Sequence, residues 1–149
     1  MIIIGDIASP DCKSSKQISK FIKENPEEFS SDTILFNLEG LITDSHDLND
    51  NSPILFNHTS ILNSFTTYKT KIAALANNHT LDLPHLLHST KESLSNRGFN
   101  CVGAGKESDF NFNVIEVFED NYQVFIINAC WDFLLFTFTA VRLKREQIQ

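Results

Sequence analysis

Three short apolar runs constrain this chain more than any other feature, because each stops abruptly in polar residues of one kind. They are III at 2–4, DTILF at 32–36 and KIAALA at 71–76. The first is followed by Asp6, the second by Asn37 and Glu39, and the third by Asn77, Asn78 and His79. Such runs, bounded by turn-forming residues, read as buried strands. Between the first two, Ile18, Phe21 and Ile22 recur at helical spacing, with Ser14 or Ser15 as the expected N-cap and Asn25-Pro26 as the stop. HTSILNSF reads as a short helix. From Leu83 on, Leu86, Leu87, Thr90 and Leu94 form a helical stripe closed by Arg97-Gly98.

FNCVGAG then reads as a fourth strand and turn. FNVIEVF and YQVFIINA flank Glu119-Asp120-Asn121 as a hairpin. Strands alternating with helices through residue 102 predict an α/β fold with a largely parallel sheet. Residues 41–56 lack periodicity and read as one long loop, a place where function often resides.

Composition narrows the function. At 149 residues and 42% hydrophobic, with 13 Phe, the chain can bury a core. A net charge of -7 without a basic cluster before the last residues excludes a nucleic-acid footprint. Cys12, Cys101 and Cys130 are distant and odd in number, which fits reduced thiols. MIIIGD has no basic leader, so a cytoplasmic location is expected.

Ligands of open α/β sheets sit outside the carboxyl ends of strands, so the polar strand ends are expected to converge. Oxygen donors plus an amide suit Mn²⁺ or Mg²⁺, or Zn²⁺ with a histidine added. His79 beside them has the chemistry to protonate a leaving oxygen. Each residue also has a plainer reading. Asp82 caps the helix that contains Pro84, Asn77 and Asn78 are turn residues, His79 is exposed in a loop, and Asp6 binds loop backbone. Other motifs fall short. VGAGK lacks the third glycine of a dinucleotide fingerprint and the ending of a phosphate loop. His85 and His88 lack further ligands and read as surface residues, and no GxSxG elbow is present.

GDI at 5–7, FNLEGLIT at 36–43, LANNHTLD at 75–82 and GFNCVGAG at 98–105 stand in an order that resembles the bacterial capsule and poly-γ-glutamate synthesis protein CapA family. The resemblance covers residues 1–130, about the first half of a usual family domain, and sets apart 131–149 as a divergent tail, apolar and then basic. It implies a partial metallophosphoesterase-like layered sheet with flanking helices. It also implies a truncated protein associated with capsule or polyanionic polymer synthesis. By the same resemblance Asp6, Glu39 and Asn78 are metal ligands, with Asn37 near Glu39, and His79 is the catalytic histidine. In a two-metal site such groups hold a hydroxide for in-line attack on phosphorus.

The family's later histidine ligands have no counterpart, since no histidine follows His88, and position 8 is Ala. An incomplete site with weak or absent divalent-metal binding is therefore expected, and any phosphoester or polymer substrate is left open. The alternatives are a non-catalytic interaction module, as a homodimer or with a second chain completing the sheet, and a membrane-anchored accessory protein. The anchor would be residues 124–141, long enough to span a bilayer. Asn128 and Asp132 near its middle, and RLKR after it, argue against membrane insertion.

Overall fold

The computed structural model describes residues 1–44, 54–104, 114–119, 122–131 and 136–145. Four strands form one parallel sheet: β1 (Ile2–Ile7), β2 (Thr33–Leu38), β5 (Thr70–Ala74) and β6 (Phe99–Val102), in the order β1-β2-β5-β6. Helix α1 (Cys12–Glu24) links β1 to β2, and α2 (Leu87–Ser95) precedes β6. A 3₁₀ segment, Thr59–Phe65, leads into β5. Three antiparallel strands, β7 (Ile115–Glu119), β8 (Tyr122–Trp131) and β9 (Phe136–Arg145), form a second sheet.

Side chains on a strand alternate between faces, and this alternation builds two cores. Ile34, Phe36 and Leu38 of β2, with Ala73 of β5 and Leu75 beyond it, pack against Ile22 of α1, the 3₁₀ segment and Leu94 of α2. On the other face Leu35, Ile72, Ala74 and Val102 meet Val117, Val124 and Ile126 of the antiparallel sheet. The parallel sheet is thus covered on both faces, as such sheets generally are. Phe36 stacks on Phe65 with centroids 4.5 Å apart, and Phe99 meets both edge-on.

Several details depart from the sequence expectations. Helix α1 starts earlier than Ser14: Asp11 is its N-cap and Ser14 is the N3 partner of a capping box. The carboxylate accepts from the Ser14 backbone N–H at 2.7 Å, the bond that depresses the Asp11 carboxyl most. The expected long loop opens and closes with a short parallel pair, β3 (Leu41–Ile42) and β4 (Phe56–Asn57). Residues 45–53 of that loop lie outside the described residues, as do Asp120 and Asn121 of the expected hairpin turn. Residues 124–141 contribute to β8 and β9 rather than to a helix, with 132–135, including Asp132, outside the described residues. Among the described residues no helix is long and apolar enough to cross a membrane. None of the three cysteines forms a disulfide among the described residues, and His85 and His88 are exposed.

Candidate functional site

Strand β1 carries an irregularity that places the first polar residue. Its register against β2 runs Ile4 to Phe36 and then Asp6 to Asn37, so Gly5 is an extra residue. Ile2, Ile4 and Ile7 can therefore all pack on the helix side. Asp6, by simple alternation, would share the face of Ile4; the bulge instead pairs it with Asn37.

From there the contacts run across three strand ends. The Asn37 Nδ2 group donates to Asp6 Oδ1 at 2.8 Å and to Glu39 Oε1 at 2.6 Å. Asn77, in the turn after β5, donates from Nδ2 to the Leu38 carbonyl at 2.7 Å and to Asn37 Oδ1 at 3.2 Å. Its Oδ1 accepts from the His79 backbone N–H at 3.1 Å and from Thr80 Oγ1 at 3.2 Å. Thr80 also donates to the Leu75 carbonyl, which closes the turn.

His79 projects from this turn toward the carboxylates. Its Nδ1 lies 2.7 Å from Asp82 Oδ2, and its Nε2 lies 3.9 Å from Glu39 Oε2. An ionised carboxylate only accepts, so Nδ1 carries the proton. Nε2 is left facing Glu39 at a separation too long for a hydrogen bond. Asp82 does not cap the following helix, contrary to the plainer sequence reading: that segment has Leu83 at its cap and no side-chain cap bond. The second partner of Asp82 Oδ2 is the Leu55 N–H at 3.2 Å, which ties the chain entering β4 to the histidine turn.

Close approach of β4 depends on glycine. Gly40, directly after Glu39, has φ +78°, and a Cβ there would strike the backbone of Leu55 and Phe56. Asn57 is fully buried, accepts from the Ser9 N–H at 2.8 Å and donates to the Glu39 carbonyl at 2.8 Å. From the other sheet, Asn128 Oδ1 accepts from the Ala76 N–H at 2.6 Å, just ahead of Asn77.

The site is acidic. Glu39 is only 8% exposed, and its carboxyl is raised above the ordinary range by loss of hydration first and the Asp6 charge second. The Asn37 bond and His79 oppose that rise, while Asp82 adds to it. Among the described residues no Lys or Arg is ion-paired to Asp6, Glu39 or Asp82.

The structure therefore joins Asp6, Glu39 and His79 through Asn37, Asn77 and Asp82. Asn78 is exposed on the same turn, and the amide inside the network is its neighbour Asn77. Sequence reasoning counts Asn77 among the polar strand ends but gives the ligand role to Asn78, and it gives Asn57 no role. Asn128 entered only as an obstacle to membrane insertion. Asn57 and Asn128 each lie in or against an apolar run, where a polar side chain needs buried partners, and that is the signal that marks them.

Unneutralised carboxylates crowded at one edge are the kind of charge that a cation relieves, and their oxygens suit a hard divalent ion. Among the described residues, however, no group of three His, Cys, Asp or Glu side chains is placed to hold a metal ion.

The family model described as "Bacterial capsule synthesis protein PGA_cap" matches residues 8–144. Two curated proteins from two strains of Mycobacterium tuberculosis, each called "Probable polyglutamine synthesis accessory protein", are 34% identical over 83 residues. The match spans 54% of this chain and 22% of each relative. The chain belongs to the bacterial capsule synthesis family.

Proposed function

On the premise of that family membership, we propose that the chain is an accessory component in synthesis of a capsule or another polyanionic polymer of the poly-γ-glutamate kind. Its carboxyl-edge site is read as part of a metal-dependent phosphoesterase-type centre. The observation that carries this reading is the single hydrogen-bonded network from Asp6 through Asn37 and Asn77 to His79. The accessory role in the relatives' names points the same way.

Asp6 and Glu39, with Asn78 as amide donor and water filling the remaining positions, would hold one Mn²⁺ or Mg²⁺, or Zn²⁺ if His79 joined them. A bound divalent ion supplies charge neutralisation for an anionic ester or polymer carboxylate. His79, oriented by Asp82, presents Nε2 to the same space and in its protonated form can donate there. General acid help alone contributes about 10²–10⁴-fold, which leaves most of a phosphodiester barrier standing without a second ion. In this reading the chain binds an anionic ligand at the edge but does not turn over phosphodiesters alone. The test compares wild type with His79→Ala on a generic phosphodiester in added Mn²⁺. Equal background rates are expected; a clear rate lost in His79→Ala would show a complete catalytic site.

A second reading, a non-catalytic interaction module, is favoured by the β1 edge. Among the described residues β1 pairs only with β2, and Ile3 and Phe21 are 56% and 59% exposed. On the helix side of that edge a groove of about 400 Å³ is lined by Ile4, Ile7, Ile18, Phe21 and Phe29. Exposed strand edges of this kind accept a further strand. Light scattering across a concentration series separates a lone chain from a pair joined at this edge, and Ile3→Lys would return a pair to single chains.

A further inference from the structure

We infer that the open edge of β1 joins two copies of this chain about a two-fold axis, with α1 of one copy antiparallel to α1 of the other. The inference rests on the second reading above, which makes the edge an interaction surface, and it names the occupant and its orientation.

The lone chain leaves three neighbouring features uncovered. Strand β1 pairs with β2 on one side only, so its other side has no strand partner among the described residues. Phe21, on the flank of α1 beside that edge, is 59% exposed and touches Phe29 edge-on at 5.7 Å. The groove between strand and helix runs from Gly5 and Ile7 to Gln17 and Ile18. A Cβ built at Gly5 would meet nothing within 4 Å, so the bare backbone there faces open space. A large ring at the mouth of an apolar groove is a knob and a hole on one surface. A two-fold axis is the operation by which such a surface fills itself.

Charge identifies the occupant as a second copy. Within α1, Lys13, Gln17, Phe21 and Glu24 recur at i, i+4, i+8 and i+11, which places them on one flank of the helix. Gln17 and Phe21 mark that flank as the groove side. Lys13 and Glu24 are both exposed. Each stands at the less favourable end of its own helix, because the N-terminus favours acids and the C-terminus favours bases. Exposed Lys16 near the start, and Glu27 and Glu28 beyond the end, repeat the bias. Against an antiparallel copy the same arrangement becomes complementary, with Lys13 of each chain opposite Glu24 of the other. A two-fold axis normal to the sheet also sets β1 antiparallel to its copy and puts both α1 helices on the same side. One operation thus satisfies the strand edge, the groove and the charges. A strand from an unrelated partner would cover the edge without using this polarity.

Charge reversal on the full chain tests the inference, read by sedimentation at low salt from roughly 1 µM to 1 mM chain. Wild type should pass from single chains to pairs across that range. Lys13→Glu and Glu24→Lys should each raise the dissociation constant about tenfold, because two attractive contacts per pair become repulsive. Both substitutions suit the dipole of the lone helix, and Glu24→Lys gives up only an exposed contact with Lys20 at 3.6 Å. Thermal melts of both variants at concentrations where the chain is single should therefore match wild type. An equimolar mixture of the two variants should pair as tightly as wild type, since each meets its opposite charge in the other.

Wild type that stays single across the range would overturn both the inference and the paired reading beneath it. Pairing that neither reversal weakens would overturn the inference alone; loss of that pairing in Ile3→Lys would keep the edge as an interface of another arrangement. Variants that pair no better mixed than apart would also overturn it.

Discussion

Behind the parallel sheet, Phe36, Phe65 and Phe99 pack in a buried core. At the carboxyl ends of the same strands, Asp6, Asn37, Glu39 and Asn77 are held by hydrogen bonds and crowded negative charge. The helix-side core is non-directional: any well-shaped apolar filling keeps the strands together. The edge is directional, and each of its amides has one workable orientation. Stability therefore resides mainly in the first region, whereas the second gives up some of it to hold carboxylates close together.

The largest effect should come from the core. Phe65→Ala removes a fully buried ring stacked on Phe36, and should cost about 3–5 kcal/mol in denaturant unfolding. A cost under about 1 kcal/mol would place the stabilising centre elsewhere. Next is Gly40→Ala at the edge, expected to cost about 2–3 kcal/mol. It combines a left-handed backbone with a collision against the main chain of Leu55 and Phe56. It should also loosen the Leu55 bond to Asp82 and so shift the His79 ring resonances, which Phe65→Ala should leave alone while the chain is folded.

The smallest effect carries the opposite sign. Burial, then Asp6, raises the Glu39 carboxyl above its ordinary value of 4.5, so the folded chain holds that proton more tightly than the unfolded chain. The resulting stability is fully present below the unfolded value and is lost as pH rises through the folded one. Glu39→Gln should therefore be more stable than wild type from about pH 5 upward, by less than about 1 kcal/mol because the edge is partly open to water. Thermal melts between pH 4 and 8 read this directly. A variant less stable than wild type at neutral pH would mean that ionised Glu39 is a net stabilising partner.

What the sequence made legible follows the same division. The four parallel strands, α1 and α2 could be placed along the chain from their apolar runs and stripes, whereas the order of the strands in the sheet could not. The convergence of Asp6, Glu39 and His79 followed from where strands end. The start of α1 was displaced because Asp11 and Ser14 both carry capping oxygens, and only their bond to one another decides which is the cap. The pairing of Leu41–Ile42 with Phe56–Asn57 is too short for any period and depends on Gly40 and Asn57. Asp82 has equal chemistry for capping a helix or holding a histidine, and a contact of 2.7 Å to His79 settles it. The strand Phe136–Arg145 was hidden by its own continuity, since apolar residues running on from β8 look like one long span.

The central claim, that the carboxyl edge is a weak single-cation site built on Asp6 and Glu39, is tested most directly by titrating the chain with Mn²⁺ in a calorimeter. The comparison is with the double variant Asp6→Asn/Glu39→Gln. Wild type should bind one ion with a dissociation constant on the order of 10⁻⁴–10⁻³ M, as expected for few protein ligands, and the double variant should show no binding. Tight stoichiometric binding by wild type, or binding that survives in the double variant, would contradict it.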